Sequence, residues 1–172
     1  AFANNKGGKL LIGVLDDGTI TGVKEEEEEK YTLEKAAEFH CKPALSITFE
    51  EYTVDDKLVL IAEVQESTEK PHYALGEDGK WWVYVRVKDK SLLASKIVVD
   101  VLKKSNEERG VVIEFSSKEK ALLEYLDTNE KITLYEYCQI VNLSRRRASR
   151  ILVTLVLSGV IRLHTTEKIE YY

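Results

Sequence analysis

The residues best suited to recognising another molecule lie in Arg145-Arg146-Arg147-Ala148-Ser149-Arg150. A guanidinium is planar, permanently charged and carries its donors in a fixed fork. It pairs with phosphate oxygens or with the major-groove edge of guanine. At about 100° per residue, Ala148, Ile151, Leu152, Leu155 and Val156 fall on one side of a helix. Arg146, Arg147, Arg150 and Thr154 fall on the other. Ser144 stands where a helix cap belongs. Val153 and Leu157 lie near the outward side, which predicts packing on a hairpin, the first domain or another subunit. Two readings stay open: a duplex-binding helix, or a solvated or acid-binding protein face.

Other candidate chemistry is sparser. Asp16 and Asp17 are the acidic residues best placed for catalysis, yet Asp-Gly is also a turn signal. Glu25–Glu29 reads as a solvated loop or as the acidic first turn of a helix, with a metal-binding cluster as the alternative. Cys41 and Cys138 are far apart and lack a Cys-x-x-Cys partner. His40, His72 and His164 are scattered. This pattern argues against a disulfide framework or a zinc site. Gly13 and Gly18 have the glycine spacing of a phosphate loop, but Thr19 stands where the lysine is required. No cofactor is expected.

The elements that must position these groups fall into two sets. Lys9–Leu15 and Thr19–Val23 read as a hairpin around Asp16-Asp17-Gly18. A helix is expected over Tyr31–Cys41, ended by Lys42-Pro43. Leu45–Tyr52 alternates and Lys57–Val64 is apolar, which predicts a second hairpin through Asp55-Asp56. Trp81–Val87 reads as a strand whose two tryptophans point to opposite faces. Leu92–Leu102 reads as a short helix, and Ser105–Gly110 as a linker. Beyond it the period becomes helical. Ser116 and Glu119 suggest a capped helix start. Thr133 caps a helix over Leu134–Val141. Ser144 precedes Arg145–Leu157, and Ser158-Gly159 closes it. Val160–His164 and Lys168–Tyr172 flank a turn as a strand pair. The order of helix, helix, short turn, arginine-bearing helix and hairpin, from about Glu114 to Tyr172, is that of a winged helix.

Composition sets the frame. The chain has 172 residues, 44% of them hydrophobic, enough for one or two small cores. No apolar run approaches the roughly 18 residues that span a bilayer, so no membrane partner is expected. Unpaired thiols and the lack of an export signal point to the cytoplasm. Methionine is absent and the opening reads like the end of a helix, so the chain is expected to be a fragment. The net charge is −5 and uneven. Residues 111–172 carry 9 Lys+Arg against 8 Asp+Glu, so the acidic excess lies in the first part. Phosphate binding across that whole surface is disfavoured, while a local basic patch remains allowed.

The run Ala1-Phe2-Ala3-Asn4-Asn5, Gly7-Gly8, Ile12-Gly13-Val14, Asp16-Asp17-Gly18 and Gly22-Val23 resembles the Schlafen AlbA-like family. Lys70-Pro71-His72-Tyr73 and Tyr84-Val85-Arg86-Val87 resemble its later motifs. The likeness spans about residues 1–104. It implies a nucleic-acid-binding domain in a bacterial regulator of the kind once named divergent AAA, often joined to a C-terminal winged helix. Eukaryotic members cut RNA with three acids, of which two precede the Ala-Phe-Ala-Asn motif and the third falls around Asp16 or Asp17. The resulting expectation is an α+β protein: a mixed-sheet AlbA-like domain (1–110), then a winged helix-turn-helix domain (111–172). It would bind double-stranded DNA through Ser144, Arg145, Arg146, Arg147, Arg150, Thr154 and Lys168, with pairing into a homodimer adding specificity. Asn4, Lys70, His72 and Arg86 are candidates for a polar groove in the first domain. A metal-dependent nuclease and a protein-interaction module are the alternatives.

Overall fold

A computed structural model describes residues 1–105 and 116–172. Most of the expected linker, residues 106–110, lies outside the described residues. The architecture is mixed α+β, in two compact units, Ala1–Ala94 and Ser95–Tyr172. The division precedes residue 110 because the helix following Ser95 packs on the last helix of the second unit.

The first unit runs β1 (Gly8–Ile12), α1 (Glu26–Phe39), β2 (Cys41–Lys42), β3 (Thr48–Val54), β4 (Lys57–Val64), β5 (Tyr73–Leu75), β6 (Trp81–Val87) and β7 (Lys90–Leu93). It holds a three-stranded sheet, ordered β1-β4-β3, and a four-stranded sheet, ordered β2-β5-β6-β7. The first expected hairpin is reduced to one bridge, Val14 with Ile20. β1 instead pairs antiparallel with the longer β4, from Gly8 opposite Val64 to Ile12 opposite Leu60. Gly13 shows why the local ladder stops. Its φ is +88°, and a Cβ there would lie 2.9 Å from the Gly22 backbone. The chain turns away from the extended geometry at a close crossing that only glycine permits.

The second hairpin forms as its sequence suggests. Asp55 and Asp56 have φ of 49° and 58°, the left-handed pair that a two-residue turn between twisted strands requires. β4 is central, with Leu60 and Ala62 fully enclosed. α1 starts at Glu26, so four glutamates occupy its first turn, where the helix dipole favours negative charge. Lys30 joins Glu26 and Glu27 to Glu51 of β3, the last at 2.6 Å, and so ties the helix to the sheet. In β6, Val83 and Val85 are buried, which places Trp82, Tyr84 and Arg86 on the opposite face.

The second unit contains α2 (Lys96–Lys104), α3 (Ser117–Thr128), α4 (Leu134–Val141), α5 (Arg145–Leu157), β8 (His164–Thr165) and β9 (Glu170–Tyr171). The helix expected over Leu92–Leu102 is therefore divided. Lys90–Leu93 pairs with β6, and the helix begins after Ser95, whose hydroxyl accepts from the Val98 N–H. α3 and α4 both open with capping boxes, Ser116 with Glu119 and Thr133 with Glu136. Leu122, Ile132, Tyr137, Ala148, Leu152 and Leu155 are completely enclosed. The Tyr137 hydroxyl donates to the Lys118 carbonyl at 3.1 Å, linking α4 to α3. Burial pushes its phenol up to about 12. Ile132 and Tyr172 exchange two backbone hydrogen bonds, of 3.0 and 2.9 Å. The segment before α4 thus extends the β8–β9 hairpin by one residue pair. Among the described residues, no helix is long and apolar enough to cross a membrane.

Candidate nucleic-acid interface

α5 carries four arginines and no acidic residue. Arg145, Arg146, Arg147 and Arg150 are all exposed, and Thr154 is half-buried. Among the described residues, none of the four guanidiniums makes an ion pair or a side-chain hydrogen bond. Three of them crowd the first turn, the positive end of the helix dipole. Cations there are disfavoured by roughly 0.3–1 kcal/mol each. Ser144 occupies the cap position, but its side chain makes no capping bond. The helix start therefore holds excess positive charge together with backbone N–H groups that no side chain satisfies, an arrangement that an anion would relieve.

One feature of this helix was not readable from its own period. Val153, which the helical wheel puts near the outward side, is only 2% exposed. It shares a core cluster with Ile97 of α2, and α2 packs against α5. The sequence predicts a short helix at α2 within the first domain, whereas α2 joins the second unit. The covered arc of α5 thus extends past the arginine-free side. Arg146, Arg150 and Arg147 lie within an arc about 100° wide that is open over the first turns. Toward its C-terminal end Thr154 is half-buried, and Leu157, in the same arc, packs against the core cluster.

The turn between β8 and β9 is held by Thr166, whose hydroxyl donates to the Ile169 carbonyl at 2.7 Å and accepts from its N–H. Lys168 is exposed within this turn. At the hairpin's base, the His164 and Tyr171 rings stack at 5.0 Å.

In the first unit the structure brings Asn4, Lys70, His72 and Arg86 together around the Asn4-Asn5 turn. Two of them are enclosed. Asn4 is 4% exposed, and its amide donates to the carbonyls of His72 and Tyr84 at 2.9 Å and accepts from the His72 N–H at 2.7 Å. The buried His72 ring bonds to the Pro43 carbonyl and the Ser67 hydroxyl. Asn5, part of the motif but not among the groove candidates, repeats the Asn4 device on Arg86, with bonds of 3.2 and 2.8 Å to its backbone. The Lys70 ammonium donates to the Asn5 carbonyl and pairs with Glu66. Arg86 lies over the Phe2 ring at 5.1 Å and donates to the Ser91 hydroxyl. The asparagines fasten strand to strand, and Lys70 and Arg86 are the two of the four that remain half-exposed.

Asp16 and Asp17 lie in the turn before Thr19. Asp17 accepts from the Thr19 N–H at 2.8 Å, and that bond holds its carboxyl below the usual range. Among the described residues, no group of three or more His, Cys, Asp or Glu side chains is placed to hold a metal ion. Both cysteines are free. A cleft of about 420 Å³ lies between Gly13, Gly22 and the start of α1. Glu25, Glu28 and Glu29 line it, which suits it poorly to phosphate.

A family model described as Schlafen, AlbA_2 matches residues 1–95, more than half of the chain. No curated protein and no solved structure matches.

Proposed function

Starting from the fact that the chain belongs to the Schlafen AlbA_2 family, which at a coarse level suggests a nucleic-acid-binding regulator, we propose that it is a DNA-binding transcriptional regulator whose second unit is a winged helix. The order α3, α4, α5 and hairpin supports this reading, as does the Ile132–Tyr172 pairing at the hairpin's base. α5 is the recognition helix. Arg146 and Arg150 reach base edges or phosphates, Arg145 and Arg147 meet the backbone at the helix start, and Thr154 extends the strip. Ser144 offers its spare hydroxyl to a phosphate, and Lys168 touches the backbone from the hairpin. Two copies bound to paired half-sites would lengthen the sequence that is read.

The observation that carries the proposal is the set of exposed, unpaired arginines on a helix that packs against α2 and α4. It is tested by duplex binding across a salt series. Each lost phosphate contact lowers the slope of log K against log salt by about 0.9. R146A/R150A is expected to weaken binding at least tenfold and to reduce the slope by about 2, if both arginines meet phosphate. Unchanged affinity and slope would defeat the reading.

A further inference from the structure

The outward face of β6 holds a second set of recognition groups. Trp82, Tyr84 and Arg86 alternate along the strand and share one face. Trp82 is 36% exposed, and Leu93, the register partner of Tyr84, is 55% exposed. The Trp82 ring is fixed. Its indole N–H donates to the Asp78 carboxylate at 3.1 Å, which holds that carboxyl below its usual range. Gly76 lies so close that a Cβ there would sit 2.9 Å from the indole. Cations stand at both ends of the row. The Lys80 ammonium is 5.9 Å from the centre of the Trp82 ring, and Arg86 is steadied by Phe2 and Ser91.

We propose that Trp82, Tyr84 and Arg86 form a stacking platform for single-stranded nucleic acid, separate from the duplex-reading surface of α5. Spacing selects the single strand. Residues two apart on a strand are about 6.5–7 Å apart. Stacked bases in a duplex strand follow every 3.4 Å or so. Successive side chains of the row therefore match bases splayed out of a stack, which only an unpaired strand presents. Aromatic rings and a guanidinium stack on any base, so the platform tolerates sequence. Lys80 and Arg86 attract the phosphates between the bases. Lys80 also pairs with Asp78 at 3.5 Å, an exposed pair that leaves it able to turn toward a phosphate. The inference extends the proposed function to a second ligand, and it stands on residues that the α5 reading does not use.

The test uses the full chain with fluorescein-labelled oligo-dT, oligo-rU and a duplex, in parallel with W82A, W82F, Y84A and R146A/R150A. W82A is expected to weaken binding to one or both single strands by roughly fivefold to a hundredfold, the loss of one stacked base. W82F retains a ring and is expected to restore most of that loss. Duplex affinity should stay within about twofold of the parent. Loss with oligo-dT alone supports the platform for DNA, and loss with oligo-rU alone supports it for RNA. Parental single-strand affinity in W82A and Y84A, with circular dichroism confirming the fold, overturns the platform. If R146A/R150A alone then fails on duplex, the α5 reading survives without it. If W82A behaves as expected while R146A/R150A binds duplex normally, the platform stands and the α5 reading falls.

Discussion

Replacing Asn4 with alanine separates a fold role from a binding role at a residue whose type suggests either. The side chain makes three hydrogen bonds, all to main-chain atoms of His72 and Tyr84, at 2.7–2.9 Å and in an enclosed site. Each such bond contributes about 1 kcal/mol net, and a buried partner left unsatisfied costs about 1–3 kcal/mol. Alanine strands the His72 N–H and leaves the His72 and Tyr84 carbonyls each without the donor that Asn4 supplied. The expected loss is about 3–5 kcal/mol, a large share of a domain stability of roughly 5–15 kcal/mol. Both tryptophans, Trp81 and Trp82, lie in the first unit, so their fluorescence follows its unfolding. With a urea slope near 2 kcal/mol/M, the midpoint should fall by about 2 M. N4D keeps the acceptor for the His72 N–H but sets a carboxylate against two carbonyls, so it should be at least as damaging. A loss below about 1 kcal/mol in N4A, accompanied by weaker nucleic-acid binding, would refute the clamp and restore Asn4 to a ligand-binding role.

L152A empties a fully enclosed site in the second-unit core and should cost about 2–5 kcal/mol, read by calorimetry. T133A removes the hydroxyl that accepts from the Glu136 N–H and should cost about 1 kcal/mol. The Glu136 carboxyl is held below its ordinary value chiefly by the Thr133 backbone N–H. A lowered folded pKa gives stability that is present above the unfolded value and lost as pH falls through the folded one. E136Q should therefore show a smaller decline of stability between about pH 5 and 3 than the parent. An identical acid profile for E136Q would mean that this carboxylate does not hold the helix start.

The second unit was legible wherever its signals are local. Ser116, Thr133 and Ser144 each precede a helix, and Gly159, with φ of 74°, follows the last one. The helical period also separated the arginine strip from the core residues of α5. The first unit depended on pairings between distant segments. β2, β5 and β7 are two to four residues long, too short to display a period. β1 has a strand's composition, but its partner, β4, lies some fifty residues away, and no local pattern announces it. The polar candidates show a similar limit. Asn4 and His72 have residue types suited to a site, yet the backbone surrounding them takes up their polar atoms. Residue type records capacity, whereas the partner is decided by which strands meet.

Val153 fixes more than a contact. A rod pressed on one flank by α4 and on another by α2 cannot roll about its long axis. Arg146 and Arg150 are thereby keyed to one angular setting, and any groove must accept the helix in that setting. Changes of sequence preference would then come by exchanging side chains on the strip, because re-aiming the rod would require both buttresses to move.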